Sequence, residues 1–295
     1  MSTAQELFAP VSFYDACLPA HWPPYNGFPC KPMPTAIVRF QTHEGFVIVA
    51  DGRAVTRKGK VERTINDAQK IFPIPGTNLV YALYGTMEFG VGEITLDLVS
   101  EVKASVDSLA DQEFEDATLY AEQISLPVFN RLLEAKTSGE IRVFPARAVD
   151  IEKDRPGHTI GHVFMFGYYN GQPVQIDIRF FHRSQVLDMK VFPNELWIGY
   201  DPEIWGSDIV AEALFNSPND VFFESERRKL PRKTNDLGIA EALAVAQIYI
   251  SACDSETGRA VDPHKCASIG GDVHAVAITP AEGFRWLIPP KSLLA

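Results

Sequence analysis

Three polar residues stand at the ends of apolar runs, where their side chains are placed to take part in chemistry. Thr35 opens the run TAIVRFQ, Asp51 follows the run FVIVA, and Lys70 opens the run KIFPI. A threonine hydroxyl is a weak nucleophile at neutral pH and needs a neighbouring base. Each residue also has a structural explanation, because β-branching suits a threonine to a strand, an aspartate commonly ends one, and a lysine at a strand end is usually solvated.

The composition disfavours several classes of function. The chain has 295 residues, of which 46% are apolar and 22% charged, and its formal net charge is -11. An acidic balance disfavours binding to a phosphate backbone, which needs clustered lysine and arginine. No apolar run is long enough for a transmembrane helix, and the N-terminus lacks the basic start and apolar core of a secretory signal. We therefore expect no nucleic-acid partner, no membrane partner and a cytoplasmic location.

The cysteines and histidines show no spacing typical of a metal site. Cys17, Cys30, Cys253 and Cys266 are far apart and form no CxxC pair. In an acidic chain without a signal sequence this favours reduced thiols over a disulfide framework. We expect no metal and no cofactor. A Cys–His hydrolase built on Cys253 or Cys266 is an alternative for which nothing local in the sequence argues.

The first 34 residues differ in composition from the rest of the chain. They are rich in proline and aromatic residues, as in HWPPY and KPMP. Closely spaced prolines prevent a regular helix and favour extended coil. We therefore predict a leader or N-terminal arm over residues 1–34 and a domain over residues 35–295.

The domain is predicted to consist of grouped strands and paired helices. Runs of β-branched and aromatic residues bounded by turn residues predict strands over 35–41, 46–50, 70–74, 79–84, 162–166, 174–181, 186–191, 196–200, 273–279 and 284–288. Apolar residues three and four positions apart, together with the local composition, predict helices over 87–109, 115–136, 208–215 and 238–253. Without strict strand–helix alternation, this order favours a layered α+β sandwich over a doubly wound parallel sheet.

The opening of the domain resembles that of proteasome β-subunits and their bacterial relatives. The resemblance rests on TAIV at Thr35, GFVIVADGR ending at Arg53, KIF at Lys70 and ALYG ending at Gly85. A second stretch, SIGGDVHAVAIT followed by GFRWL, looks like the Gly-Gly turn and last hairpin of the same fold. The resemblance implies an N-terminal-nucleophile hydrolase whose fold is a four-layer αββα sandwich of two antiparallel sheets.

The resemblance also implies roles for individual residues. Thr35 would be the nucleophile, and its own α-amino group, freed by removal of the leader, would be the base. Lys70 would favour loss of the hydroxyl proton, and Asp51 would hold Lys70 in place. A backbone N–H near Gly85 would stabilise the oxyanion. Supporting positions would be Arg53, which we expect to make a structural ion pair, together with Ser268 and Gly270.

Three features depart from the family pattern. The residue before Thr35 is Pro34, whereas self-cleavage in the family usually follows a glycine. Near the Gly-Gly turn, Cys266 and Ile269 occupy the places of the family's supporting aspartate and serine, and Ser268 is one position away. The serine-glycine-serine turn of the family has no counterpart in FFHRSQV.

Three functions are compatible with these observations. The first is a threonine-type hydrolase that cleaves peptide bonds and acts as a homo-oligomer in a ring or stacked assembly. The alternative is a non-catalytic subunit that keeps its N-terminal arm and serves assembly or binding. A weaker option is an amidohydrolase acting on a small non-peptide amide, because one fold can host many chemistries.

Overall fold

Two five-stranded antiparallel sheets form the framework of the protein. The computed structural model describes residues 35–294 apart from positions 59–60, 86–87, 92–93, 111, 141–158, 184–185, 195, 197–198, 200, 219 and 232–236. In chain order the described strands are β1 (Ile37–Gln41), β2 (Phe46–Asp51), β3 (Ala54–Lys58), β4 (Val61–Ile65), β5 (Ile71–Pro73), β6 (Asn78–Gly85), β7 (Glu88–Val91), β8 (Ile94–Asp97), β9 (Thr159–Tyr169), β10 (Gln172–Arg183), β11 (Val186–Pro193), β12 (Glu203–Trp205), β13 (Val273–Thr279) and β14 (Gly283–Ile288).

The helices lie between the groups of strands. They are α1 (Leu98–Ser108), α2 (Ala117–Ser138), α3 (Asp208–Ala211), α4 (Glu224–Arg227), α5 (Ile239–Asp254) and α6 (Glu256–Val261). A π-helical turn, Glu212–Asn216, continues α3, and a 3-10 turn, Lys291–Leu293, lies near the end of the chain. None of the helices in the part of the chain that the structure describes is long and apolar enough to span a membrane.

The strand order separates the two sheets clearly. The first sheet runs β12-β1-β2-β13-β14 and the second runs β11-β10-β9-β6-β5, with every pairing antiparallel. The remaining described strands form two separate hairpins, β3 with β4 and β7 with β8. The predicted α+β class with antiparallel sheets is therefore confirmed.

Three clusters of buried side chains hold these elements together. The first packs residues of β1, β2 and β13 against α5, and the second packs the second sheet against α1 and α2. The third lies between the sheets, where the rings of Phe164 and Trp205 stand 4.1 Å apart. Successive residues of a strand point to opposite faces, so β2 contributes to two clusters and is buried throughout. Residues Phe46–Ala50 are therefore covered on both faces of the sheet.

Most of the predicted elements occur at the predicted places, within a few residues. Helix α2 begins after Asp116, whose carboxylate accepts a hydrogen bond from the N–H of Leu119 at 2.8 Å, and it ends at Gly139 with φ 80°. A carboxylate at the N-cap and a left-handed glycine at the end are the usual signals for these boundaries. The hairpin turn between β9 and β10, at Asn170 and Gly171, has positive φ at both residues, 50° and 76°, as is typical of an Asn-Gly turn.

The prediction of one helix over residues 87–109 is wrong. The hairpin β7–β8 occupies the first part of this segment, and α1 begins only at Leu98. Gly90, Gly92 and the β-branched Thr95 disfavour a helix. Asp97 then caps α1, since its carboxylate accepts a hydrogen bond from the N–H of Val99 at 3.0 Å.

The interval between Asp51 and Lys70 contains the hairpin β3–β4. The strand predicted over 196–200 falls mostly outside the described residues, which also leave out positions 141–158.

The close approach of β6 and β9 gives a test of the sheet register. Gly167 lies opposite Leu79 with φ 137°, and a Cβ there would stand 2.1 Å from the carbonyl oxygen of Asn78. We expect Gly167→Ala to lower the free energy of unfolding, measured in urea, by about 3 kcal/mol or more, since the backbone must move.

Gly171→Ala is the matched control, because Gly171 also has positive φ but a Cβ there would meet nothing within 4 Å. This change should cost only about 1 kcal/mol, the cost of the backbone conformation. Equal losses of unfolding free energy in the two variants would contradict the close approach of β6 and β9.

Candidate active site

The carboxylate of Asp51 is the centre of the candidate site. It is completely buried and receives hydrogen bonds on both oxygens. Its Oδ1 accepts from the backbone N–H of Ala36 at 2.7 Å and from Nζ of Lys70 at 2.6 Å. Its Oδ2 accepts from the backbone N–H groups of Gly270 at 3.0 Å and Arg53 at 3.2 Å. One side chain thus connects four separate positions of the chain.

The sheets bring these positions together. Asp51 ends β2, and its own N–H donates to the carbonyl of Ala36 at 3.1 Å, which extends the pairing of β1 with β2 past Ile37. The pairing of Asp51 with Val273 on β13 places the Gly270 turn at the same end of the first sheet. Lys70 precedes β5 in the second sheet and reaches across to the first. The ion pair therefore links the two sheets at one end.

Each charge of the pair of Asp51 and Lys70 is stable in the interior only because the other is present. Lys70 is 4% exposed and Asp51 is 0% exposed. Burial lowers the pKa of the Lys70 ammonium from its ordinary value, and the adjacent Asp51 carboxylate opposes this shift by favouring the charged form. Removing either partner would leave the other charge buried without compensation, which is costly.

Thr35 is one residue away from a backbone N–H that binds this pair. It is 4% exposed and precedes Ala36, whose N–H binds the same Asp51 oxygen as the Lys70 ammonium. The start of β1 is therefore fixed next to a buried positive charge. Pro34, the residue before it, lies outside the described residues.

Arg53 supports the site from the side of α5. Its guanidinium Nη1 donates to the Asp254 carboxylate at 2.9 Å and to the carbonyl of Ile269 at 2.9 Å. The Gly270 N–H that binds Asp51 follows directly in the chain. Gly270 has φ 139°, which favours glycine, and a Cβ there would stand 2.4 Å from the Asp254 carboxylate. Arg53 is thus in a structural ion pair, the role expected from the sequence.

Gly85 and Ser268, the other two sequence-predicted positions, have different surroundings. Gly85 ends β6 with φ 100° and pairs with Gly161. It is two residues beyond Leu83, whose N–H donates to the carbonyl of Lys70 at 3.1 Å, so it lies at the same end of the second sheet as Lys70. The N–H of Ser268 donates to the carbonyl of Lys265 at 3.2 Å, and among the described contacts of Asp51 none comes from Ser268.

Several contributors to this region carry no local sequence signal. Asp254 lies 201 positions after Arg53, and only the completed fold reveals their contact.

A second cluster of buried polar side chains lies on the face of the second sheet that looks toward the first. There Nδ1 of His162 and Oδ1 of Asp177 are 2.9 Å apart, and Arg179 binds the other Asp177 oxygen. The position of Asp177 inside an apolar run is the only hint in the sequence.

The burial of the two described cysteines disfavours their contact with a substrate. Cys253 and Cys266 are completely buried in the cluster between the first sheet and α5. Burial raises the pKa of the Cys253 thiol, while its hydrogen bond with Cys266 lowers the pKa of the Cys266 thiol. Among the described residues, no His, Cys, Asp and Glu side chains form a group of three that could hold a metal ion.

Comparison with known proteins gives a distant likeness to solved structures. No protein-family model matches the chain, and no curated protein matches it. Among solved structures, the chain is similar to the Gly-1 mutant of Anbu from Hyphomicrobium sp. strain MC1, with 14% sequence identity and a TM-score of 0.40. The match covers 86% of this chain and 87% of that one. A likeness this distant carries no information about the site residues.

The ion pair can be tested through stability. We expect Asp51→Asn to lower the free energy of unfolding by about 3 kcal/mol or more, because it leaves the Lys70 ammonium buried beside a neutral amide. Replacing both partners, as in Asp51→Asn with Lys70→Met, should recover part of this loss. Urea unfolding of the parent and the two variants measures the difference.

Asp107→Asn is the matched control, because it removes the same charge from the exposed pair with Lys103. The free energy of unfolding of that variant should be close to that of the parent protein, since exposed ion pairs contribute little to stability. A loss for Asp51→Asn no larger than for Asp107→Asn would show that the buried pair does not organise this end of the sheets.

Proposed function

We propose that this chain is a threonine-type N-terminal-nucleophile hydrolase that cleaves peptide bonds. The observation that carries the proposal is the shared Asp51 oxygen, which binds the Lys70 ammonium and the peptide N–H that follows Thr35. A threonine at this position would have a positive charge at its side and a fixed backbone.

The proposed reaction begins with hydrolysis of the peptide bond between Pro34 and Thr35. This releases residues 1–34 and leaves Thr35 with a free α-amino group. That amine takes the hydroxyl proton while the Thr35 oxygen attacks the substrate carbonyl, and it later returns the proton to the leaving amine. Water then hydrolyses the ester and restores the hydroxyl.

Lys70 would act through its charge. A buried ammonium beside the hydroxyl favours the alkoxide, and as a like charge it also lowers the pKa of the neighbouring α-amine. An α-amine ordinarily titrates near pH 8, so such a shift would leave more of it neutral and able to accept a proton at about pH 7. Asp51 has hydrogen-bond donors on both oxygens, which suits it to holding Lys70 and not to exchanging protons.

The remaining parts of the proposal concern the oxyanion and the assembly. A backbone N–H next to Gly85 would bind the oxyanion. The three buried clusters are consistent with a four-layer αββα sandwich formed by residues 35–295. We further propose that the chain acts as a homo-oligomer, in a ring or stacked assembly, in the cytoplasm.

A second candidate function is favoured by the turn before β13. Cys266 and Ile269, at the places of the family's supporting aspartate and serine, are both buried in the apolar cluster, and the described bond from the turn to Asp51 comes from the N–H of Gly270. With Pro34 before Thr35, this favours a non-catalytic subunit in which residues 1–34 stay attached and serve assembly or binding.

The intact mass of the purified full chain distinguishes the two functions. For the hydrolase we expect a mass that begins at Thr35, because self-cleavage requires only groups of the chain itself. Thr35→Ser should still be processed, since it keeps a hydroxyl, whereas Thr35→Ala should retain residues 1–34 and lose all cleavage of a fluorogenic peptide amide.

A full-length mass for the parent chain, with no cleavage of the peptide amide, would overturn the hydrolase proposal in favour of the non-catalytic subunit. Processing that persists in Thr35→Ala would instead show that another protease removes the segment. The thermal unfolding midpoint of each variant serves as the folding control.

A further inference from the structure

A buried histidine and a buried aspartate form a hydrogen-bonded pair between the two sheets. Nδ1 of His162 and Oδ1 of Asp177 are 2.9 Å apart, and the two side chains are 5% and 1% exposed. The other Asp177 oxygen accepts a hydrogen bond from Nε of Arg179. Because a carboxylate that binds a guanidinium acts as an acceptor, the proton of the imidazole lies on Nδ1. The lone pair of the ring is then on Nε2.

Aromatic neighbours fix the orientation of this imidazole. The ring of His162 stacks on that of Phe164 with 5.3 Å between centroids, and it meets the ring of Tyr84 edge-on at 5.6 Å. Among the described contacts of His162, none uses Nε2. A carboxylate that holds one nitrogen and leaves the other able to accept a proton is the arrangement of a general base.

The side chain of Thr35 is placed on the same interior face. Ala36 packs in the cluster against α5, whereas Ile37 packs between the sheets. Successive residues of an extended chain point to opposite faces, so the side chain of Thr35 points toward the second sheet, like that of Ile37. On β9, His162 has the same relation to Phe164, which also packs between the sheets.

Strand pairing and a ring contact relate the two positions to each other. Ile37 pairs with Trp205, whose ring stands 4.1 Å from the ring of Phe164. Thr35 precedes Ile37 by two residues, and His162 precedes Phe164 by two residues. Each therefore lies one side-chain position further along its strand from the same contact between the sheets.

Lys70 shows that both positions lie at the same end of the sheets. Its carbonyl accepts the N–H of Leu83 on β6, whose partner on β9 directly follows His162. Its ammonium binds Asp51, whose N–H donates to the residue after Thr35. Packed sheets stand about 10 Å apart, a gap that facing side chains fill. The imidazole and the hydroxyl thus face this gap at one end.

The self-cleavage proposed above needs a base other than the α-amine. While residues 1–34 are attached, the nitrogen of Thr35 belongs to a peptide bond and cannot take up a proton. The Lys70 ammonium has no lone pair, and both oxygens of Asp51 already accept two hydrogen bonds each. None of these groups is suited to take the proton of the Thr35 hydroxyl.

We propose that His162 is the base of this self-cleavage and that Asp177 is its positioning residue, an inference that rests on the proposed hydrolase function. Nε2 takes the hydroxyl proton while the Thr35 oxygen attacks the carbonyl carbon that precedes it. When the C–N bond breaks, Nε2 returns the proton to the Thr35 nitrogen, which becomes the free α-amine. Residues 1–34 are then held as an ester on the Thr35 oxygen, and water hydrolyses this ester.

The rate at which a freshly synthesised full chain loses residues 1–34 tests the role of His162. His162→Asn keeps an amide donor near the position of Nδ1, and so a hydrogen bond to Asp177, but it removes the base. We expect this variant to be processed about 100-fold more slowly, or slower still, in a time course after cell-free synthesis. His162→Gln, which removes the base through a different amide, should behave alike.

Peptide cleavage after processing separates a base from a structural residue. Once Thr35 has a free α-amine, that amine is the base, so His162 is needed only in the precursor. The processed fraction of His162→Asn should therefore cleave a fluorogenic peptide amide within about threefold of the parent rate. Equal losses of processing and of peptide cleavage would assign His162 a structural role and overturn the proposal.

His274→Gln is the matched control. His274 is 1% exposed, and its Nε2 lies 2.8 Å from Oδ1 of Asp67. It is on β13, which is separated from β1 by β2. Gln keeps a donor near the position of Nε2, and this variant should be processed at the parent rate. Equal slowing in His274→Gln and His162→Asn would show that loss of any buried histidine is enough, and would overturn the proposal.

A double variant tests the positioning role of Asp177. Asp177→Asn places an amide opposite Nδ1 and no longer fixes the proton there, so processing should slow about tenfold or more. Combined with His162→Asn, the same change should slow processing no further, because Asp177 acts only through His162. Independent losses that multiply in the double variant would contradict this role.

The parent chain distinguishes failure of this proposal from failure of the hydrolase function. A parent chain that keeps residues 1–34 and cleaves no peptide amide would overturn both. A parent chain that is processed, with His162→Asn and His162→Gln processed at the same rate, would overturn only the role of His162. The thermal unfolding midpoint of each variant serves as the folding control.

Discussion

The buried pair of Asp51 and Lys70 is the constraint on which the rest of the site depends. Neither charge is stable in the interior alone, so the two sheets must meet closely enough for the lysine to cross from one to the other. Asp51 in addition fixes the backbone at Ala36, Arg53 and Gly270. The position of Thr35 follows from these bonds, since it precedes Ala36 in the chain. A single carboxylate therefore determines where a nucleophile would stand and which charge it would meet.

Local patterns in the sequence are enough to predict most strands and the longest helix. The turn at Asn170 and Gly171 and the caps of α2 at Asp116 and Gly139 are short-range features, which depend on a few neighbouring residues. The helix prediction fails in the segment before α1 because its apolar residues fit helical spacing, while the glycines at positions 90 and 92 favour a hairpin. Periodicity alone does not distinguish the two where a segment is short.

Only those site residues are predictable whose spacing in the sequence matches that of the family it resembles. Asp51 and Lys70 are in contact at the predicted positions, but the partners of Arg53 are not accessible from the sequence. Asp254 and Ile269 lie 201 and 216 positions from Arg53, and they meet it through packing of α5 against the first sheet. Contacts between residues this far apart in the sequence depend on the tertiary fold and produce no periodic pattern in the sequence.

The strand order also sets when this site is completed as the chain is made. Thr35, Asp51 and Lys70 all belong to the first quarter of the sequence, yet β13, which pairs with β2 in the middle of the first sheet, begins only at Val273. The N–H of Gly270 reaches Asp51 from just before that strand. A nascent chain that has left the ribosome as far as α5 thus holds the charged residues without the turn that positions them. Whatever this end of the sheets does, it does only once the chain has been made as far as β13.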